Sequence, residues 1–470
     1  MLFNSLEFFI FFPVVTLLFY LLPHAYRWVM LLFASCYFYM SFIPEYILVL
    51  FATIIIDYLA GILLVSSTRY RKTWLVISVV ATCLVLIIFK YYNFFTQTVI
   101  ELLGNFSIKY DAPYSALALP IGLSFHTFQS LSYVIEVYRG RQNAERHFGI
   151  YALYVMFYPQ LVTGPIERPY NLLNQLRKKI SYNYDNLANG LRLILFGLVT
   201  KMVVADNMAI YVDQLYEQPG TYHALSVAAC LMLYALQIYC DFYGYSTIAL
   251  GTALAMGYNL MDNFKQPYFS QSIGEFWQRW HISLSSWFRD YVYIPLGGNK
   301  TSIWIWIRNI LFVFALSGLW HGANTTFIIW GLAHGACYLI ESFVKLKYGL
   351  ANNQSASIRI IGKGLRMAKT FITVTLIWVF FRAVSMDEAW QIFASLKNNW
   401  HTGEGLPIPM TVWFYILGFV VLELLMGNKR FDAWCGALPL VVRWCLYSLL
   451  IFVAVAYSGV HAIPFIYFQF

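Results

Sequence analysis

The chain has 470 residues, of which 60% are hydrophobic and 11% are charged, and its formal net charge is +9. Soluble domains usually carry about 25% charged residues, so this composition excludes a water-soluble monomer and indicates a surface that largely faces lipid. The basic residues lie in short loops between apolar runs, as in membrane proteins, and do not indicate nucleic-acid binding. The 7 cysteines form no CxxC pair, and no spacing of His, Asp and Glu resembles a metal site.

The apolar runs predict an all-α, polytopic integral membrane protein, because a helical crossing needs about 20 apolar residues. We expect roughly 10–11 transmembrane helices plus re-entrant helices, in a single membrane-embedded domain over residues 1–470. The first run lacks a preceding basic region and a small-residue cleavage site, so we interpret it as a retained crossing and not as a signal peptide. The predicted full crossings are 6–22, 28–43, 46–65, 74–98, 117–137, 187–211, 223–257, 368–384, 410–426 and 444–463.

Basic loops predict which side of the membrane each segment faces. Lys and Arg concentrate on the cytoplasmic side, so Arg69, Arg71 and Lys72 predict an extracytoplasmic amino terminus three crossings earlier. The apolar run 148–165 contains Pro159 and has basic segments on both sides, so we expect it to enter the membrane and turn back. Irregular backbone at membrane depth is tolerated only inside protein or beside a water-filled cavity. This run therefore predicts a central cavity.

A second apolar stretch, residues 309–340, carries a histidine. Basic loops flank it, so we predict a helical hairpin with arms 303–319 and 325–340 and a turn, WHGAN, inside the bilayer. His321 lies in that turn, and an ionisable group at such a place is a functional hypothesis by default. Neutral imidazole is well suited to take a proton near neutral pH. A histidine that only bridges helices by hydrogen bonds is the alternative.

An aromatic, polar loop precedes the hairpin and reads FWQRWHISLSSWFRDYVYIPLGG from residue 276 to 298. It carries His281, and its arginines are suited to bidentate contacts with the phosphates of a nucleotide-like donor. Its tryptophans can stack on a planar base. The alternative is an interfacial amphipathic helix with an aromatic belt. The candidate donor-binding residues here and in the hairpin are Arg279, Trp280, Ser283, Arg289, Trp320 and Asn324. We interpret His126 and His334 as structural.

The aromatic loop followed by LSGLWHG resembles the signature of the membrane-bound O-acyltransferase family. The residues of these motifs are most similar to the bacterial branch of the family, which O-acetylates alginate and peptidoglycan. The opening MLFNS, the segment PIGLSFHTFQSLSYVIEVYRG and the turn GPIER also resemble that branch, so the likeness covers nearly the whole chain. It implies a helical bundle with a funnel through a thin central wall. It also implies that His321 is catalytic and that His281 occupies the family's second functional position.

The tail FIYFQF resembles the end of the small partner peptide of teichoic acid D-alanyl export, in which a tyrosine relays the acyl group. The resemblance implies that Tyr467 is a third catalytic residue. A phenol is a better leaving group than an alcohol, so an aryl ester keeps more of a thioester's transfer potential than a sugar ester does. An interfacial aromatic anchor is the alternative role for this tyrosine.

These observations predict an O-acetyltransferase of the bacterial cytoplasmic membrane. Acetyl-CoA, a substrate and not a cofactor, is expected at the aromatic loop on the cytoplasmic side. His321 would remove a proton from the acceptor hydroxyl, and His281 or nearby backbone donors would stabilise the oxyanion. The resemblance implies an extracytoplasmic SGNH-type acetyltransferase as partner. The final acceptor would be a polysaccharide: alginate, peptidoglycan or another exopolysaccharide.

Two alternative functions remain at this stage. One is a D-alanyl or acyl exporter that uses a carrier-protein thioester as donor. The other is a proton-coupled transporter or flippase in which His321 relays protons. Transporters often carry paired broken helices in two repeats, and no such repeat is evident in the sequence.

Overall fold

The computed structural model describes residues 1–107, 110, 120–162, 164–348, 356–457 and 465–466, without the side chains of 347–348 and 356–360. Over these residues the protein is α-helical, with no β-strand and one isolated bridge between Tyr222 and Glu404. The all-α prediction is therefore confirmed.

The structure contains 21 α-helices in its described residues, and π-helical turns interrupt the regular winding at Val199–Ala205 and Arg289–Tyr293. In chain order they are α1 (Leu6–Leu21), α2 (His24–Met40), α3 (Tyr46–Ser66), α4 (Arg71–Lys90), α5 (Tyr92–Asn105), α6 (Leu123–Tyr138), α7 (Phe148–Met156), α8 (Tyr158–Leu161), α9 (Pro169–Leu176), α10 (Tyr184–Leu198), α11 (Asp206–Glu217), α12 (Ala224–Ala255), α13 (Ile273–Arg279), α14 (Ile282–Phe288), α15 (Ile303–His321), α16 (Thr325–Tyr348), α17 (Ala356–Arg382), α18 (Met386–Asn398), α19 (Met410–Met426), α20 (Phe431–Gly436) and α21 (Leu440–Tyr457).

Many of these helices suit a bilayer. By length and composition, 8 helices in the described part of the chain can cross a membrane, and α1 and α19 are shorter apolar helices. The longest candidate is the continuous segment 184–217, which joins α10, a π-helical turn and α11 over 34 residues. The protein is therefore a multi-pass membrane protein, as predicted.

The predicted re-entrant run is broken into short helices. α7 has 9 residues and α8 has 4, so even α7 extends only about 14 Å along its axis. A hydrocarbon core is about 30 Å thick, and neither helix can cross it. Nearly all of their side chains are buried within the protein. This burial is the condition under which irregular backbone is tolerated at membrane depth.

Contacts between residues divide the chain into two compact units, and the prediction of a single domain over 1–470 stays a prediction. The first unit comprises Met1–Ile194 and Ile248–Met261. Within it, a Cβ atom on Gly190 would lie 2.6 Å from the carbonyl oxygen of Gly251. Only glycines allow two helix backbones to approach this closely.

Buried polar side chains in the first unit bond to one another. The carboxylate of Asp57 accepts hydrogen bonds from the hydroxyls of Ser78, at 2.6 Å, and Thr82, at 2.9 Å. Nε2 of His126 lies 3.1 Å from the hydroxyl of Thr53. His126 is thus buried and hydrogen-bonded, which fits the structural role expected for it.

The second unit comprises Leu195–Thr247 and Asp262–Phe470, and it contains the predicted hairpin. α15 and α16 pack side by side, and a Cβ atom on Gly318 would lie 2.1 Å from the carbonyl oxygen of Phe327. The turn between the helices is held by Asn324, whose side-chain amide donates to the Val384 carbonyl at 2.7 Å. Each arm is long and apolar enough to cross a membrane, so the arms are longer than the sequence predicted.

Candidate active site

His321 is the last residue of α15 and is only 5% exposed. Three aromatic rings surround it, with centroids 4.7 Å (Trp320), 5.1 Å (Trp330) and 5.2 Å (Phe381) from the imidazole centroid. The side chain is therefore held in a fixed place away from bulk water. Such an environment suits a general base, whose effectiveness depends on positioning.

His281 lies at the junction between α13 and α14, where the chain changes direction. Its φ is +43°, in the left-handed region that non-glycine residues rarely adopt. Backbone strain of this kind costs on the order of 1–3 kcal/mol and clusters at functional sites. The junction is held by Asn263, whose carbonyl accepts from the Ile282 amide at 2.9 Å and whose side-chain oxygen accepts from the Ser283 hydroxyl at 2.6 Å.

The two histidines pack against the same indole. The Trp320 ring centroid is 4.7 Å from that of His321 and 6.4 Å from that of His281. Burial lowers the pKa of His281 to about 3, so its ring is neutral at neutral pH and can donate one N–H. The structure thus brings together the two histidines that were predicted from separate sequence motifs.

A cavity of about 560 Å³ is lined by Ile282, the residue after His281, and by Ser317 on α15, but by neither histidine. Its volume is within the range of ligand pockets, about 300–1,000 Å³. Arg289, which is exposed, and Ser317, which is buried on α15, both line it. Ser317 precedes His321 by four residues, so the two share a face of the helix. The cavity therefore joins an exposed cation to the helix face that ends at His321. Other polar residues that line it are Gln278, Ser285, Ser286 and Tyr293, none of which we had selected from the sequence.

The predicted donor-binding residues divide between packed and accessible positions. Trp280 is buried against the rings of Phe276 and Trp378, at 5.4 and 5.1 Å. Arg279 forms an ion pair with Glu275 at 2.6 Å. Of the six candidates, only Arg289 lines the cavity. The others hold the loop and the hairpin turn in place, and their role in donor binding stays a prediction.

Our sequence analysis missed a cluster of buried charges formed by Lys201, Asp206 and Asp241, the last of which precedes Phe242, a ring that contacts His281. Nζ of Lys201 lies 2.5 Å from a carboxylate oxygen of Asp206 and 2.7 Å from one of Asp241, and Lys201 is 1% exposed. Lys201 sits on a π-helical turn, a distortion often found at functional sites. An ionisable residue inside the apolar run 187–211 was the signal that could have revealed this cluster.

The charged cluster holds the described part of the carboxyl-terminal tail. Asp241 accepts a hydrogen bond from the backbone amide of Ile466 at 2.7 Å. The next ring along α12, Phe242, contacts Phe465 at 5.7 Å and His281 at 4.6 Å between centroids. The tail therefore packs beside the candidate site. Tyr467 lies outside the described residues.

We expect Lys201→Met to destabilise the protein strongly, because it leaves two buried carboxylates without their cation. Breaking a buried ion pair in this way costs about 3–5 kcal/mol. The triple variant Lys201→Met, Asp206→Asn, Asp241→Asn should recover much of that loss, since no uncompensated charge remains. Thermal unfolding in detergent measures both effects. A triple variant no more stable than the single variant would show that charge pairing is not what matters here.

The fold and the site together define a multi-pass membrane protein with two buried histidines on one indole and a ligand-sized cavity lined by residues close to them in sequence. The model of the membrane-bound O-acyltransferase family matches residues 146–382. The probable alginate O-acetylase AlgI of Pseudomonas aeruginosa is 38% identical over 444 residues, 92% of this chain and 82% of that protein. The chain belongs to the membrane-bound O-acyltransferase family, and the protein is an O-acyltransferase.

Relatives with other names are also similar to this chain, at lower sequence identity. A peptidoglycan O-acetyltransferase of Helicobacter pylori is 33% identical over 396 residues, 78% of this chain and 73% of that protein. A teichoic acid D-alanyltransferase of Bacillus subtilis is 30% identical over 259 residues, 51% of this chain and 64% of that protein. The predicted family and enzyme class are confirmed, and the D-alanyltransferase is the more distant relative, as expected.

Proposed function

We propose that this enzyme transfers the acetyl group of cytoplasmic acetyl-CoA across the membrane for O-acetylation of an extracytoplasmic polysaccharide. The observation that carries the proposal is the pair of buried histidines on one indole, with the 560 Å³ cavity lined by residues close to them in sequence. The names of the relatives support the acceptor class, because they act on alginate or peptidoglycan. The basic loops support a multi-pass arrangement in the bacterial cytoplasmic membrane with the amino terminus outside.

The donor is proposed to enter the cavity from its exposed side. Arg289 meets a phosphate of the coenzyme, and the thioester extends toward Ser317 and the end of α15. A guanidinium is well shaped for phosphate oxygens. The cavity is lined largely by apolar and hydroxyl side chains, which suit the slender arm of the coenzyme better than its charged end.

The reaction is acyl transfer with His321 as general base. The imidazole takes the proton of the acceptor hydroxyl as its oxygen attacks the thioester carbonyl. The oxygen–acyl bond forms, the carbon–sulfur bond breaks, and the thiolate leaves and takes up the proton. The N–H of His281, or backbone donors near it, stabilises the oxyanion. General-base catalysis typically contributes about 10²–10⁴-fold, and one oxyanion donor about 10²–10³-fold.

The proposed first acceptor is the phenol of Tyr467, and a separate extracytoplasmic SGNH-type transferase then moves the acetyl group to the polysaccharide. The anchoring of Phe465 and Ile466 beside Phe242 supports this role, because Tyr467 follows directly in the sequence. An aryl ester retains enough transfer potential for the second step.

Incubation of the purified enzyme with acetyl-CoA tests the proposal. With radiolabel in the acetyl group, we expect label on the protein or in released acetate. With label in the adenine of the same donor, the protein should stay unlabelled, which is the matched control. A transporter would show neither transfer nor hydrolysis. If the protein does not react with acetyl-CoA but reacts with an acylated carrier protein, the donor is a carrier-protein thioester.

A further inference from the structure

The first compact unit contains a basic cavity that the proposed reaction does not use. Its volume is about 250 Å³, and it lies where α1 ends and α2 begins. Three cationic side chains and two histidines line it together with apolar groups. The nitrogen-bearing residues are His24, Arg27, His147, Arg177 and Lys178, and the apolar and aromatic ones include Phe19, Trp28, Ile150, Leu153, Leu176 and Tyr258.

Arg27 is held in place without loss of its charge. Its Nε donates to the Leu22 carbonyl at 2.9 Å, and its Nη1 donates to the Ile180 carbonyl at 2.5 Å. The guanidinium carbon lies 4.7 Å from the centre of the Phe19 ring. These partners are neutral, so the positive charge remains uncompensated. A guanidinium has five N–H donors, and Nη2 takes no part in these bonds.

The cavity carries an excess of positive charge. Arg177 pairs with Glu145, with Nε 2.8 Å from a carboxylate oxygen. Among the described residues, neither Arg27 nor Lys178 forms an ion pair. Three cationic side chains therefore line the cavity and only one of them is paired with a carboxylate, so the cavity suits an anion.

His147 adds a neutral donor. Its Nδ1 accepts from the backbone amide of Ile150 at 3.2 Å, so the ring proton belongs on Nε2. The ring is held against Trp28, with 4.6 Å between centroids. A positioned N–H beside cations suits a phosphate, which accepts several hydrogen bonds at once.

The position of the cavity indicates the source of the phosphate. It lies at the end of the apolar helix α1, whose Leu17 and Leu21 are exposed and suited to lipid chains. Phe19 provides an apolar wall next to the cations. A basic pocket between membrane helices is the usual site for an acidic lipid headgroup.

We propose that this cavity binds the phosphate of an anionic glycerophospholipid. Arg27, Lys178 and the Nε2–H of His147 contact the phosphate oxygens. The glycerol and the first acyl carbons pack on Phe19. This proposal is based on the charged and apolar residues that line the cavity. It does not depend on the acetyl-transfer mechanism.

Native mass spectrometry of the detergent-purified protein with phosphatidylglycerol tests the proposal. We expect a bound lipid and about fivefold weaker binding for Lys178→Gln, because a basic residue near a charged lipid surface contributes about one factor of five in affinity. Lys179→Gln is the matched control, since this neighbouring exposed lysine does not line the cavity. Arg27→Gln should weaken binding further, but it also removes two backbone contacts, so Lys178→Gln decides the result.

Three outcomes would overturn the proposal. Equal weakening by Lys179→Gln would indicate general surface attraction. Equal binding of phosphatidylcholine would show that net negative charge is not recognised. Stabilisation by inorganic phosphate with no retention of phosphatidylglycerol would assign the site to a soluble phosphate.

Discussion

We expect His321→Ala to remove nearly all acetyl transfer and to leave the protein folded in the membrane. The imidazole lies at the end of α15 and packs against the rings of Trp320 and Phe381. Its loss removes the proposed general base, so the rate should fall by about 10²–10⁴-fold. The measurement is acetyl transfer from labelled acetyl-CoA per mole of folded protein, with thermal unfolding in detergent recorded alongside.

His334→Ala is the control for that experiment. His334 is also a buried histidine of the same hairpin and packs on the same Trp330, with 5.1 Å between centroids. Among the described residues, its ring contacts do not include Trp320, the indole that His321 and His281 share. Its replacement should therefore lower stability and leave transfer per folded molecule near the wild-type rate. Full activity of His321→Ala would remove that residue from the mechanism. Equal loss in both variants would show that packing, not base catalysis, explains the effect.

We expect Tyr467→Phe to prevent the enzyme from carrying a covalent acetyl group. The substitution removes one hydroxyl and keeps the aromatic ring, so any effect belongs to the phenol oxygen. We expect the wild-type protein to gain the mass of one acetyl group after incubation with acetyl-CoA. The variant should gain none and should not support polysaccharide acetylation. Intact-mass measurement of the purified protein provides the readout.

The control for this prediction is Tyr457→Phe, at the end of α21. Tyr457 is an exposed tyrosine near the same end of the chain, and its phenylalanine variant should acquire acetyl as the wild type does. An acetyl group that persists on the Tyr467→Phe protein would place the acceptor hydroxyl elsewhere. Loss of the acetyl group in both variants would indicate that the fold of the tail, and not the phenol oxygen of Tyr467, explains the effect.

The helical architecture could be predicted from the sequence because the bilayer core contains no water that could satisfy backbone hydrogen bonds. Every crossing must satisfy its own backbone hydrogen bonds, so length and hydropathy alone distinguish most helices. The proline and flanking charges of the run 148–165 indicated a break in the helical pattern, and α7 and α8 are short helices within it. That this run enters the membrane and turns back stays a prediction. Helix ends were harder to predict. The crossing expected at 74–98 divides at Tyr91 into α4 and α5, because apolar composition does not show where a helix breaks.

The candidate site was only partly predictable. His281 and His321 were selected from sequence because their motifs resemble the family signature, since apolar surroundings alone do not distinguish them from His126 and His334. Lys201, Asp206 and Asp241 were missed, although each is an ionisable residue within an apolar run. The pairing of Lys201 with Asp241 joins two different helices, and periodicity along one helix carries no information about its partner.

The sequence by itself determined that this protein is a helical membrane O-acyltransferase, because composition and local motifs encode that class directly. Only the tertiary structure decided that both imidazoles share the indole of Trp320 and that Asp241 holds Ile466 beside them. It also decided that Arg289 lines the cavity while Trp280 is buried in the core. The physical reason is that these outcomes depend on how helices distant in sequence pack together, which no local pattern specifies.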